Sequence, residues 1–149
     1  VSGRAGRKNK TGKVIIQTYS PYHSVIRYVV DNLYNEMYDS QILERRNFHY
    51  PPFYRLIKFS LKHKDYQLLN NAAQEFTSLL RKEFGSAVLG PEYPMVSKVR
   101  GLFVKDCMLK LPKGKSNVQM KTFVKNSILQ FRGIGIYKAV RLIIDVDPY

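Results

Sequence analysis

The stretch RLIKFSLK, residues 55–62, sets Ile57, Phe59 and Leu61 in alternation with Lys58, Ser60 and Lys62. A period of two marks a strand with one face in a core and the other in water. Downstream, Asp65 is placed to cap a helix whose stripe is Leu68, Leu69, Ala72, Ala73, Phe76, Leu79 and Leu80, stopping near Gly85. AVLGPEYPMVSKV (87–99), interrupted by Pro91 and Pro94, and LFVKDCMLKL (102–111) read as two strands joined around Arg100 and Gly101. SNVQMKTFVKNSILQF (116–131) predicts a second amphipathic helix through Met120, Phe123, Val124 and Ile128, and AVRLIIDV (139–146) a last strand. The order over residues 53–148 is β-α-β-β-α-β, an α+β fold of the ferredoxin-like, split βαβ kind, with two helices on one face of a four-stranded sheet. Many functions use that arrangement, single-stranded nucleic-acid binding among them.

Upstream the pattern changes at YPPF, residues 50–53, because Pro51 and Pro52 lack an N–H and disfavour helix before them. A domain boundary is expected here, separating residues 1–50 from 51–149. Before it, Val25, Ile26, Val29, Val30 and Leu33 recur at helical spacing, and Met37, Tyr38, Ile42 and Leu43 suggest another helix. KVIIQTYS (13–20) reads as a strand that completes a sheet elsewhere. Residues 1–13 carry Arg4, Arg7, Lys8, Lys10 and Lys13 without an acid, as expected of a mobile basic arm.

The chain has 149 residues, enough for one proper core or a domain plus part of a neighbour. Lys and Arg outnumber Asp and Glu 25 to 11, a net charge of +14, which favours a polyanionic partner. An anionic membrane is the weakest choice, since no apolar run approaches the roughly 20 residues needed to span one. The single Cys107 excludes an internal disulfide and suits a reducing cytoplasm. His23, His49 and His63 have no metal-ligand spacing, so no metal site is expected. A G-x-x-x-x-G-K-[ST] phosphate loop occurs nowhere.

Residues 98–125 hold Lys98, Arg100, Lys105, Lys110, Lys113, Lys115, Lys121 and Lys125 against Asp106 alone. Spread over a hairpin and a helix start, this run is a candidate surface for phosphate or carboxylate; the plain alternative is a solvated face. Arg45, Arg46, Tyr50, Phe53 and Arg55 suit a domain joint, with aromatics packed and arginines satisfying carbonyls. Asp145 and Asp147 are expected to accept hydrogen bonds from a neighbouring loop or arginine, and Tyr19, Tyr22, Tyr28 and Tyr34 to pack beneath the joint, with base stacking the alternative.

GRAGR (3–7) resembles the end of the sixth signature motif of superfamily 2 helicases. With GKVIIQTYSPYH (12–23), LERRNFHYPPFYRL (43–56), VLGP (88–91) and DVDP (145–148), the chain resembles, in order and over nearly its whole length, the primosomal protein N′ (PriA) replication-restart helicases of bacteria. The resemblance implies a C-terminal portion cut within the second, RecA-like helicase lobe of an ATP-driven 3′ to 5′ DNA helicase. It makes Arg4 and Arg7 motif arginines that approach the ATP γ-phosphate in the parent only. ATP, Mg and Zn are then expected of the parent and no cofactor or catalysis of this chain. The implied partners are forked or single-stranded DNA, primosome proteins and the acidic tail of single-stranded DNA-binding protein, in the cytoplasm. Lys98, Arg100, Lys105, Lys113, Lys115 and Lys121 are the candidate contacts with DNA or partner.

Overall fold

In the computed structural model, which describes residues 12–114 and 117–148, the alternating stretch forms β1 (Tyr54–His63) at the interior of an antiparallel sheet. It is followed by α3 (Tyr66–Phe84), β2 (Val88–Glu92), β3 (Lys98–Val99), β4 (Leu102–Pro112), α4 (Asn117–Gly133) and β5 (Arg141–Val146), and preceded by α1 (Ser24–Val30) and α2 (Tyr34–Asn47). The strand order is β2-β4-β1-β5, with the two-residue β3 pairing β4 beside it. Among the described residues this is a mixed α/β architecture with five strands where four were expected. The fifth arises because AVLGPEYPMVSKV breaks: the β2–β4 register shifts between Leu89 and Glu92, across Gly90 and Pro91, pairing ends after Glu92 opposite Asp106, and β3 takes it up again at Lys98.

Phe59 and Leu61 of β1, with Cys107, Leu109 and Leu111 of β4, form one sheet wall of the core. Against it lie Leu69, Ala72, Ala73, Phe76 and Leu80 of α3, with Val124 and Phe131 of α4. Phe76 meets Phe59 edge-on at 5.2 Å and Phe131 at 5.1 Å, the preferred arrangement for ring quadrupoles. The α3 stripe is as the spacing predicts, and Asp65 caps it by accepting the Leu68 N–H at 2.8 Å. Gly85, at φ 54°, ends it.

On α4 the stripe differs. Val124, Ser127 and Phe131 are the buried positions and Phe123 is exposed. Phe123 lies on the flank of that stripe and meets Phe84 edge-on at 6.5 Å. Ser127 is tolerated inside because its hydroxyl donates to the Phe123 carbonyl at 3.1 Å.

The chain divides into two compact units, residues 1–42 and 43–149, with the division inside α2. In the first, residues 13–20 are unpaired: the expectation placed this strand's partners in a sheet elsewhere, and no described strand lies along the segment. Neither α1 nor α2 has a buried residue; of the four tyrosines expected to pack, Tyr19, Tyr22 and Tyr34 stand exposed and Tyr28 is half-buried.

Candidate nucleic-acid interface

The β3–β4 hairpin starts from register: Lys98 faces Phe103 and Val99 faces Leu102, leaving Arg100 and Gly101 as a two-residue turn. Both have positive φ, 50° and 78°, the geometry of a type I′ turn. Glycine takes such a conformation freely; arginine does not. The strained position thus holds an exposed guanidinium at the hairpin tip.

Around this hairpin, cations and rings alternate. The Lys98 ammonium lies 4.7 Å from the Phe103 ring centroid and the Lys105 ammonium 4.3 Å from that of Tyr93. Tyr93 and Tyr66 are stacked, with centroids 5.8 Å apart and planes 6° from parallel, and Tyr66 meets Phe103 edge-on at 5.6 Å. The Tyr93 hydroxyl donates to Asn70 Oδ1 at 2.7 Å, tying the loop after β2 to α3. Hydrogen bonding with Tyr93, and then with Asn70, pulls the Tyr66 hydroxyl below the usual tyrosine range. Burial, and then Tyr66, pushes Tyr93 above it. Among the described residues, Lys98, Arg100 and Lys105 form no ion pair with a carboxylate. Beside them Tyr93 lines a hollow of about 340 Å³ shared with Tyr50, Lys58, Glu92 and Asp106, where Lys58 pairs Asp106 at 2.8 Å.

Lys113 and Lys121 are not part of this group. Lys105 precedes the end of β4 by seven residues, about 24 Å of strand at ~3.4 Å per residue; Lys113 follows that end and Lys121 lies in the first turns of α4. Lys115 lies outside the described residues, as do Arg4 and Arg7. The sequence run of cations is therefore divided between opposite ends of the sheet.

The second end has its own feature. Between α4 and the strands β1 and β5 lies a groove of about 420 Å³, floored by Ile57, Ile144 and Val146 and bordered by Arg55, Lys121, Lys125 and Arg132. Ile144 and Val146 face α3 and α4 by alternation, yet are 43 % and 53 % exposed because α4 leaves them uncovered.

The segment before β1 places its arginines on carbonyls and rings. Arg45 Nη1 donates to the Pro51 carbonyl at 3.1 Å and Arg46 lies 5.4 Å from the Phe53 ring centroid. Lys110 donates to the Phe48 carbonyl at 2.7 Å and stands 4.0 Å over Tyr50, where burial lowers its pKa. Arg55 Nε lies 3.3 Å from Asp147 Oδ2, and Asp147 Oδ1 accepts the Leu56 N–H at 3.0 Å, the structural use foreseen for that carboxylate. No three metal-ligating side chains come together among the described residues, and Cys107 is buried in the core, so this chain's described residues do not fit a zinc site.

The placing of Tyr66 and Tyr93 beside the hairpin cations was not legible in the sequence. The usable signals were an aromatic between two prolines, Pro91 near the end of β2 and Pro94 in the loop after it, and another directly after a helix cap.

A family model for the primosomal protein N C-terminal domain matches residues 46–149. The chain is 30 % identical over 151 residues to the replication restart protein PriA of Bacillus subtilis, covering all of this chain and 18 % of that protein. It is 31 % identical over 151 residues to that of Treponema pallidum, 99 % of this chain and 22 % of the relative. To that of Thermotoga maritima it is 35 % identical over 101 residues, 68 % of this chain and 13 % of the relative. It spans about a fifth, or less, of the length of these relatives.

Proposed function

The chain belongs to the primosomal protein N C-terminal domain family of replication restart proteins, and on that premise we propose that it is a non-catalytic DNA-binding module that positions a helicase at forked or single-stranded DNA. The observation that carries this reading is the hairpin end, where Lys98, Arg100 and Lys105 have no carboxylate partner among the described residues and stand among the exposed Tyr66 and Tyr93 and the half-buried Phe103. The net charge of +14 draws in the same polyanion over longer range. The element order and the strand order β2-β4-β1-β5 support a ferredoxin-like, split βαβ arrangement. GRAGR supports residues 1–50 as part of a RecA-like second lobe, in which Arg4 and Arg7 would serve an ATP site completed by the parent protein. ATP, Mg and Zn belong to that parent, in the bacterial cytoplasm, together with primosome partners. Purified alone, this chain should hydrolyse no ATP with or without DNA; hydrolysis that copurifies with it would overturn the non-catalytic reading.

Backbone neutralisation without base reading makes affinity salt-dependent and sequence-tolerant, with a slope of log K against log salt of about −0.9 per phosphate on duplex and about −0.7 on a single strand. Replacing Arg100 and Lys105 together by Ala should weaken binding to all sequences and flatten the slope by roughly one to two units. A folded double variant with unchanged affinity and slope, by fluorescence anisotropy, would remove this site from consideration.

A second reading follows from the groove beside α4. Its apolar floor and four bordering cations suit the acidic tail of single-stranded DNA-binding protein. Replacing Lys121 and Lys125 by Glu should abolish binding of a tail peptide and leave the Arg100 and Lys105 contribution to DNA binding intact. Unchanged peptide affinity would refute this docking.

A further inference from the structure

We propose that the stacked pair Tyr66–Tyr93 is a platform for an unpaired base of single-stranded DNA, so that this end of the domain distinguishes single strand from duplex; this rests on the DNA-binding reading above. Among the described residues, Phe59, Phe76 and Phe131 of the core meet edge-on and are 0–1 % exposed, and the one other exposed stacked pair, Tyr34 and Tyr38 of α2, is 26° from parallel. Tyr66 and Tyr93, in contrast, are parallel and remain 48 % and 38 % exposed. Exposed aromatic area in a fixed plane is what a base needs in order to stack, and stacking is indifferent to which base arrives.

The platform is held before any ligand comes. Tyr66 begins α3 and is braced edge-on by Phe103, while Tyr93 is tied to Asn70 through its hydroxyl. Little side-chain freedom is left to lose on binding. The cations are placed for the phosphates that flank a stacked base: Lys105 on the Tyr93 ring and Lys98 on the Phe103 ring. The hollow of about 340 Å³ along Tyr93 leaves room for a neighbouring nucleotide. A duplex offers its phosphates here but keeps its bases paired, so it gains only the charge contribution.

The 149-residue chain is titrated with a 12-mer single strand carrying one 2-aminopurine and with a duplex of equal length, at one salt concentration. Binding of the single strand should quench the 2-aminopurine as it stacks. Replacing Tyr66 and Tyr93 by Leu should lower single-strand affinity by about 5- to 150-fold, the range of one base–aromatic stack, abolish the quench and leave duplex affinity within twofold. Tyr66→Phe and Tyr93→Phe retain the rings and should keep the quench, with a smaller loss of single-strand affinity than the Leu variant because only the hydroxyl ties to Asn70 are removed; loss of the quench in either Phe variant counts against the platform. No quench with the unaltered chain, or equal loss for single strand and duplex in the Leu variant, overturns the platform, and the first result holds even if the Leu variant does not fold. If the Leu variant is neutral while Arg100→Ala with Lys105→Ala still weakens binding, stacking fails and the DNA site stands; if both are neutral, both fail.

Discussion

Cys107 is one side chain whose environment dictates its chemistry. It is 2 % exposed in the core wall of β4, and burial, against a smaller opposing interaction with the Thr77 hydroxyl, pushes its thiol up from 9.0 to about 12. At pH 8 a thiol reagent should therefore modify the folded chain only as fast as it opens, while chain unfolded in urea reacts at once; rapid labelling under native conditions would contradict the burial. The linkage has a definite sign. A folded value above the unfolded one means stability fully present below about pH 9 and lost as pH rises toward 12, at up to about 1.4 kcal/mol per pH unit. Cys107→Ala should remove that share of the alkaline slope in urea titrations at successive pH values. Tyrosines and lysines titrate in the same window, so the difference between the two proteins is the quantity to read.

At the scale of elements, β1 and β5 are fastened by Asp147. Its N–H donates to the Leu56 carbonyl at 2.8 Å, its Oδ1 accepts the Leu56 N–H, and its φ of 52° suits an Asp better than most residues. Asp147→Ala should cost about 1–3 kcal/mol, since it strands a part-buried amide, whereas Arg55→Ala should cost about 0–1 kcal/mol because that ion pair is well exposed. Equal losses in urea unfolding would mean that the ion pair, not the amide bond, is the fastening. Gly90→Ala should be worse than either, because at φ 89° a Cβ would sit 2.8 Å from the Asp106 carbonyl oxygen. These elements were legible where one period dominates, as in β1 and α3. The α4 stripe was legible in part: Val124 is in the core and Met120 and Ile128 pack against it, but a buried Ser127 interrupts the apolar rule and Phe123 follows it without being buried. The hairpin cations were legible from charge alone. Their separation from Lys113 and Lys121 was not, because it depends on β4 running straight between the two ends, and the tyrosine platform needed a loop and a helix start brought together in space.

For the whole molecule, burial is concentrated in one unit. No described residue before Leu56 is buried, while residues 43–149 contain the entire core cluster. Limited proteolysis should accordingly cut first within residues 12–42 and leave a resistant product of about residues 43–149, read by mass spectrometry; first cuts inside α3 or β4 would contradict the division. The position of β1 between β4 and β5 has a further consequence, in time. Residues 64–140 separate β1 from the strand that covers its second edge. At about 5–20 residues per second, a ribosome leaves that edge open for roughly 4–15 s after β1 has emerged. During that interval the nascent chain carries an unpaired row of amides and carbonyls, and Lys58 and Lys62 along the strand are the charges that discourage a stranger from pairing with it first.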